Sequence, residues 1–245
     1  MPPASEEWRP AGRLDTLRQR SRLIGRVREF FAQRAVWEVE TPVLARAGAT
    51  DPHLESLNTH CTAVRQPLYL QTSPEAHMKR LLAAGSGAIY QISRAFRDGE
   101  RGKVHNTEFT LLEWYRPGFD HHRLMDEVDE LIRDILAGRT ELPPSQRRSY
   151  AEAMKTHTEI DPFNTTADAC RRRLLEAGIA IHGVEQPPAA LDFWLDLLMS
   201  HLVGPELGRS GPTFVYDFPA SQAALSRIRP GQPPLASRFE LFLNG

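Results

Sequence analysis

Between Ala88 and Tyr115 the sequence reads strand, charged turn, strand, and this stretch limits the fold more than any other in the chain. Ala88–Phe96 and Glu108–Tyr115 are the strands, and Asp98–Val104 between them carries charge and two glycines. The pattern predicts a hairpin with an unusually charged loop. Polar groups fall at alternating positions, which puts Arg97, Glu113 and Tyr115 on one face. Arginine and carboxylates beside a basic loop suit a phosphate held through a metal ion. A solvated hairpin laced with salt bridges has the same pattern, and spacing alone leaves the two readings level.

The rest of the chain surrounds that hairpin with helices. Residues 1–12 are rich in proline and charge and read as a loose arm. From there Leu17, Leu23, Ile24, Val27, Phe30 and Phe31 recur at helical spacing, predicting an amphipathic helix from Leu14 to about Ala35. Val36–Val39 is a short apolar strand running into Thr41-Pro42, where proline suits a strand edge or an interface turn. Leu68–Thr72 reads as a strand. Ser73-Pro74-Glu75 then looks like a helix start, with a helix to about Ala84 and a stop at Gly85. Further helices are expected over Leu124–Leu136, 165–178 and 189–203, and strands at Thr213–Phe218 and Arg238–Leu243, with a turn-rich connection at Arg229–Pro234. Strands broken by helices without regular βα alternation predict an α+β fold around an antiparallel sheet.

Composition narrows the function classes without naming one. Thirty basic residues against 31 acidic ones give a net charge of -1, which argues against a basic stripe for a nucleic-acid backbone. Cys61 and Cys170 lie far apart and read as two unpaired thiols of a reducing compartment. No signal-peptide-like or bilayer-length apolar run occurs, and the expectation is a cytosolic protein. Asp51, His53 and Glu55 read as a polar loop rather than a metal cluster, and Lys79 and Arg80 as a solvated helix face.

The motifs give the chemistry its direction. F-R-D-G-E at Phe96–Glu100, followed by H-N-T-E-F-T-L-L-E-W-Y at His105–Tyr115, resembles motif 2 of class II aminoacyl-tRNA synthetases in its lysine-type form. T-S-P-E-A-H-M-K-R-L-L at 72–82 resembles the segment that precedes motif 2 in that subgroup. Phe30 to Pro42 resembles motif 1, the dimer-forming element, and R-F-E-L-F-L-N-G at Arg238–Gly245 is similar to the strand that opens the last third of the site. The likeness runs from Leu14 onward, so residues 13–245 read as one catalytic domain, a class II synthetase-like antiparallel sheet flanked by helices. The few residues ahead of the first catalytic helix leave no room for an oligonucleotide-binding barrel, and none is expected. L-E-W-Y-R-P-G and R-L-M-D-E-V-D-E-L-I are closest to the branch of the family that modifies elongation factor P rather than tRNA.

That resemblance implies ATP and Mg2+, an acyl-adenylate of lysine or (R)-β-lysine, and a lysine of elongation factor P as acceptor. It places Arg97 on the α-phosphate, where a planar bidentate donor suits developing charge. It places Gly99, Glu100 and Asn106 around the adenosine and outer phosphates. Glu240 becomes a magnesium ligand with Leu241 beside the nucleotide. Ser73 and Glu75 contact the substrate amine, while Glu113 and Tyr115 line the amino-acid pocket, since a buried ammonium needs carboxylates. A homodimer through the segment around Pro42 is implied, and no anticodon-dependent binding of tRNA.

The sequence departs from the family pattern at three places. Asp98 and Gly99 separate Arg97 from Glu100 where the family has a single residue, and Thr107 stands in place of the usual proline. Family members also continue beyond the position of Gly245 into a further glutamate, a glycine-rich strand and motif 3. The expectation is therefore a fragment or truncated copy that activates lysine poorly or not at all on its own. Two alternatives go with it: a catalytic fragment of a lysine-tRNA ligase, and a non-catalytic synthetase-like binding module.

Overall fold

Helix α1 (Leu14–Ala32) opens the first of two units into which the chain divides, Met1–Gly118 and Phe119–Gly245. The computed structural model describes residue 10 and residues 12–51, 54–99, 102, 105–179 and 190–245. The proposed arm therefore falls almost wholly outside the described residues, as do His53 and Glu100. Only Phe30 and Phe31 of α1 are buried, and Leu14 and Leu17 stay largely exposed. The helix stops three residues earlier than its periodicity suggests. Ala35 takes a φ of 54°, and the Val36 N–H returns to the Phe31 carbonyl at 3.0 Å, closing the helix end with a left-handed turn.

The chain then enters β1 (Trp37–Glu38), β2 (Leu44–Ala45), β3 (Asn58–Thr59) and β4 (Leu68–Leu70). After α2 (Glu75–Ala83) come the hairpin strands β5 (Ile89–Phe96) and β6 (Glu108–Tyr115). The hairpin lies where the sequence places it. Eight residue pairs run from Ile89 opposite Tyr115 to Phe96 opposite Glu108 without a slip. β1 pairs with β5 in parallel, giving the order β1-β5-β6, while β2, β4 and β3 form a small antiparallel sheet. Phe31 stacks on Tyr90 with ring centroids 4.5 Å apart. Arg28 grips Glu38 through Nε and Nη2, and the Tyr90 hydroxyl donates to the same carboxylate at 3.1 Å. The bonds from Arg28 hold Glu38 below the usual carboxylate range against the opposing effect of burial.

The second unit begins with α3 (His121–Leu136), three residues earlier than its apolar pattern, because Asp120 caps it by accepting from the Arg123 N–H at 2.8 Å. β7 (Gln146–Ser149) and α4 (Tyr150–Thr158) follow. α5 (Ala167–Glu176) and α6 (Leu191–Leu198) fall within the two expected helical stretches, and α6 runs on through a wide turn at Met199–Val203. β8 (Thr213–Pro219), β9 (Ile228–Arg229) and β10 (Leu235–Phe242) complete a sheet ordered β7-β8-β10-β9. Tyr150, Met154, Leu174, Trp194, Leu195, Leu198, Val215 and Phe218 form its core.

The fold class is α+β, as expected, but both larger sheets are mixed, with parallel pairs at β1–β5 and β7–β8. β7 and α4 went unrecognised in the sequence although they begin the core. Gln146-Arg147-Arg148-Ser149 has none of the apolar alternation that marks a strand. Within β8, Asp217 adopts a φ of 60°, and the pairing with β10 shifts between Ala236 and Phe239. Its carboxylate accepts from His121 Nε2 at 3.1 Å and from Arg229.

Candidate active site

Helix α2 sets its first turn beside the hairpin. Met78 is fully buried against Val39 and Ile89, and Tyr115, Leu81 and Leu82 pack on that cluster. The helix start differs in detail from the expected cap. Pro74 occupies the cap position, and Ser73 Oγ accepts only a long bond, 3.4 Å, from the Glu75 N–H. Ser73 is thus placed at the helix entry, and Glu75 becomes the first helical residue.

Glu113 and Tyr115 share one side of β6, two residues apart. The Tyr115 hydroxyl donates to Glu113 Oε1 at 2.5 Å. Burial pushes the Glu113 carboxyl above its ordinary range, the Tyr115 bond opposes this, the negative charge of Glu75 adds to it and Lys79 opposes it. Burial and the bond to Glu113 also push the Tyr115 phenol up. A half-buried carboxylate with a raised pKa, beside a second carboxylate, is electrostatically short of a cation. Ser73, Glu75, Glu113 and Tyr115, drawn from two separated stretches of sequence, are brought to one place in the first unit.

Arg97 follows directly after β5, its N–H bonded to the Thr107 carbonyl at 2.9 Å. The hairpin register puts it on the same side as Gln91, Glu113 and Tyr115, as the alternation requires. Its Nε donates to the Thr72 carbonyl at 3.4 Å, and the guanidinium lies over the Phe109 ring, 5.1 Å from the centroid. Gly99 turns with a φ of 75°, a conformation that strains any residue with a Cβ, and its N–H donates to Asp98 Oδ1 at 2.9 Å. Asn106 is exposed just ahead of β6.

In the second unit Glu240 lies on β10 opposite Val215, and Leu241 opposite Phe214. Strand alternation sends the Leu241 side chain to the face away from Glu240, so the two share a backbone and not a surface. Arg238 Nη2 donates to Glu240 Oε1. Both residues border a cavity of about 280 Å³, with Tyr150, Asp196, Phe218 and Phe242 among its walls.

Three residues of these surroundings have no site role in the sequence analysis, where Lys79 is read only as part of a solvated helix face. Lys79 binds Glu75 Oε1 through its Nζ at 2.6 Å, and the i,i+4 spacing on a helix was the available signal. Arg238 stands two residues before Glu240, the spacing at which strand side chains share a face. Phe109 carried no polar signal at all. Lys79 and Arg80 are exposed, as read. Glu55 pairs with Asp98 through the backbone, and no three His, Cys, Asp or Glu side chains among the described residues are grouped to hold a metal ion. Among those residues no helix is long and apolar enough to cross a membrane.

Comparison with known proteins matches residues 7–245 to the family described as tRNA synthetases class II (D, K and N). The elongation factor P–(R)-β-lysine ligase of Vibrio vulnificus is 45% identical over 243 residues, 98% of this chain and 73% of the relative. The ligase of the same name from Vibrio cholerae is 44% identical over 245 residues, 98% and 74% of the two chains. That of Haemophilus influenzae is 42% identical over 246 residues, 99% and 74%. With a family match over nearly its whole length and relatives at this identity, the chain belongs to the class II tRNA synthetase family of the D, K and N type.

Proposed function

We propose that this protein joins (R)-β-lysine, or lysine, to ATP as an acyl-adenylate and passes the acyl group to a lysine side chain of translation elongation factor P. The observation that carries the reading is Glu113, braced by Tyr115 and raised by the charge of Glu75 on α2, on the hairpin side that also bears Arg97. Carboxylates at one end suit a substrate with two ammonium groups, and an arginine at the other suits phosphate. Gln91, opposite Glu113, is six residues from Arg97, about 20 Å along the strand. The two side chains take up part of that span and leave room for an extended amino acid. The names of the relatives support the choice of amino acid and acceptor.

In the first step a carboxylate oxygen of the amino acid attacks the α-phosphorus of ATP, and pyrophosphate leaves. The acceptor amine then attacks the acyl carbon, loses a proton and expels AMP. Chemistry of this kind asks the protein to position charge and to stabilise it as it develops. Arg97 holds the α-phosphate, with Gly99, Glu100 and Asn106 around the nucleotide. Ser73 and Glu75 take the ammonium nearer the substrate carboxylate, α in lysine and β in (R)-β-lysine, and Glu113 and Tyr115 line the rest of the amino-acid pocket. Magnesium commonly binds through one or two carboxylates together with phosphate oxygens, and the family resemblance gives Glu240 as one such carboxylate, with Leu241 meeting the nucleotide through its backbone rather than its side chain. The ion would neutralise phosphate charge there.

Residues 13–245 act in this reading as one catalytic domain of a cytoplasmic enzyme that makes no anticodon-dependent contact with tRNA. It works as a homodimer through the segment around Pro42, a proposal supported by the exposed apolar surface of Trp37, Val43 and Leu44. The test is ATP–pyrophosphate exchange with (R)-β-lysine and with lysine, followed by mass spectrometry of elongation factor P and counting of label on tRNA. Slow exchange with either amino acid and a mass gain on elongation factor P are expected. Label on tRNA instead points to a lysine-tRNA ligase, and absence of exchange with retained amino-acid binding points to a binding module.

A further inference from the structure

We infer that Lys79 is the resting counter-ion of the amino-acid pocket: its ammonium holds Glu75 while the pocket is empty and gives way when the ammonium of the substrate arrives. The inference rests on the reading of Glu75 and Glu113 as the pocket's carboxylates. It adds a positioning residue that acts through Glu75 and touches no substrate.

The geometry begins with α2. Met78 is buried against the sheet and fixes the rotation of the helix, so Glu75 in the first turn and Lys79 one turn later rise on the same side. The Lys79 Nζ lies 2.6 Å from Glu75 Oε1, a full charge-assisted contact rather than a distant pairing. On a featureless helix face such an i,i+4 pair adds a few tenths of a kcal/mol and nothing else. Here the carboxylate it occupies is one that also acts on Glu113 across the pocket. The charged or titratable groups around Glu113 are Glu75 and Lys79 from α2 and Tyr115 from its own strand, and its partner on β5 is the uncharged Gln91. Among the described residues, Lys79 is the cation whose charge acts on Glu113.

Two opposing effects follow. Without Lys79 the empty pocket holds two carboxylates and no cation, so Glu113 takes up a proton at higher pH, and an arriving ammonium must displace it. Without Lys79 there is also no internal ammonium to displace from Glu75. The first effect weakens binding under mildly acidic conditions, and the second strengthens it once Glu113 is ionised. A lysine that served only helix stability would shift binding equally at every pH.

The experiment is calorimetric titration of lysine and (R)-β-lysine into the full chain and its Lys79→Met, Lys79→Gln and Lys79→Arg variants from pH 5.5 to 9. Buffers of differing ionisation enthalpy count the protons released. For Met and Gln, affinity curves that cross the parent curve are expected. Binding should be about twofold tighter at the alkaline end, the acid limb raised by about half a pH unit, and proton release larger near neutrality. Arginine should restore the parent profile. Parallel curves, or unchanged proton release, would overturn the counter-ion role while leaving the pocket in place. No binding of either amino acid by the parent protein at any pH would overturn the pocket reading, and this inference with it.

Discussion

Replacing Tyr115 with phenylalanine removes one atom and tests how the pocket carries charge. The ring stays, and with it the packing on the Met78–Ile89 cluster, so stability should change little. What is lost is the donor 2.5 Å from Glu113 Oε1. Hydrogen bonds to charged groups contribute about 1.5–3 kcal/mol, and an ammonium substrate repairs only part of that loss, so the KM for the amino acid should rise roughly tenfold at pH 7. The sign of the pH effect follows from Glu113. Its carboxyl is already raised by burial, and the tyrosine bond opposes that rise, so the variant's carboxyl is raised further. Substrate binding needs the ionised form, so affinity is lost as pH falls, and the loss begins at higher pH in the variant. The tenfold ratio should shrink toward pH 9, while the KM for ATP stays put. Pyrophosphate exchange across pH 6–9 measures all of this. A ratio flat with pH, or an equal rise for ATP, would refute the assignment of Glu113 and Tyr115 to the amino acid.

Three further outcomes test the fold and the proposed assembly. Leu198→Ala hollows the second unit's core where the side chain is fully buried, and should cost about 2–5 kcal/mol by denaturant unfolding. Ser149→Ala breaks the reciprocal pair in which Ser149 Oγ accepts from the Glu152 N–H and Glu152 accepts from the Ser149 N–H, a loss of about 1 kcal/mol. Leu44→Asp places a charge on the exposed apolar run beyond Pro42 and should convert a dimer to a monomer by light scattering, with the melting temperature nearly unchanged. A monomeric parent protein would remove the basis for the proposed interface.

Much of the first unit was legible because its signals are local. The hairpin strands came within a residue of their observed ends, since alternation and a glycine-bearing loop are read directly from the chain. Glu113, Tyr115 and Arg97 share a side for the same reason. What depended on through-space partners was not legible. The Lys79 contact to Glu75 and the Arg238 contact to Glu240 each had correct spacing, but spacing does not say which of several rotamers a long side chain adopts. β7 escaped because its polar strand pairs in parallel with β8 from more than sixty residues away, and parallel pairing leaves no hairpin signature. Asp217 gave no hint of its left-handed backbone, which owes its position to the bulged pairing with β10 and to His121 and Arg229.

The hairpin divides the chain into lengths that can vary and lengths that cannot. Along the eight paired residues, deleting a single one from β6 would turn Glu113 and Tyr115 to the far side and bring Leu112 and Trp114 to the pocket. Only a second one-residue change within the same strand, an insertion or a deletion, would restore them. In the connection between the two strands an added residue costs little closure entropy and leaves every pair in place. The additional residue separating Arg97 from Glu100 falls on the permissive side of that boundary. Insertions and deletions among homologous hairpins should therefore collect in the loop, while each strand keeps its count.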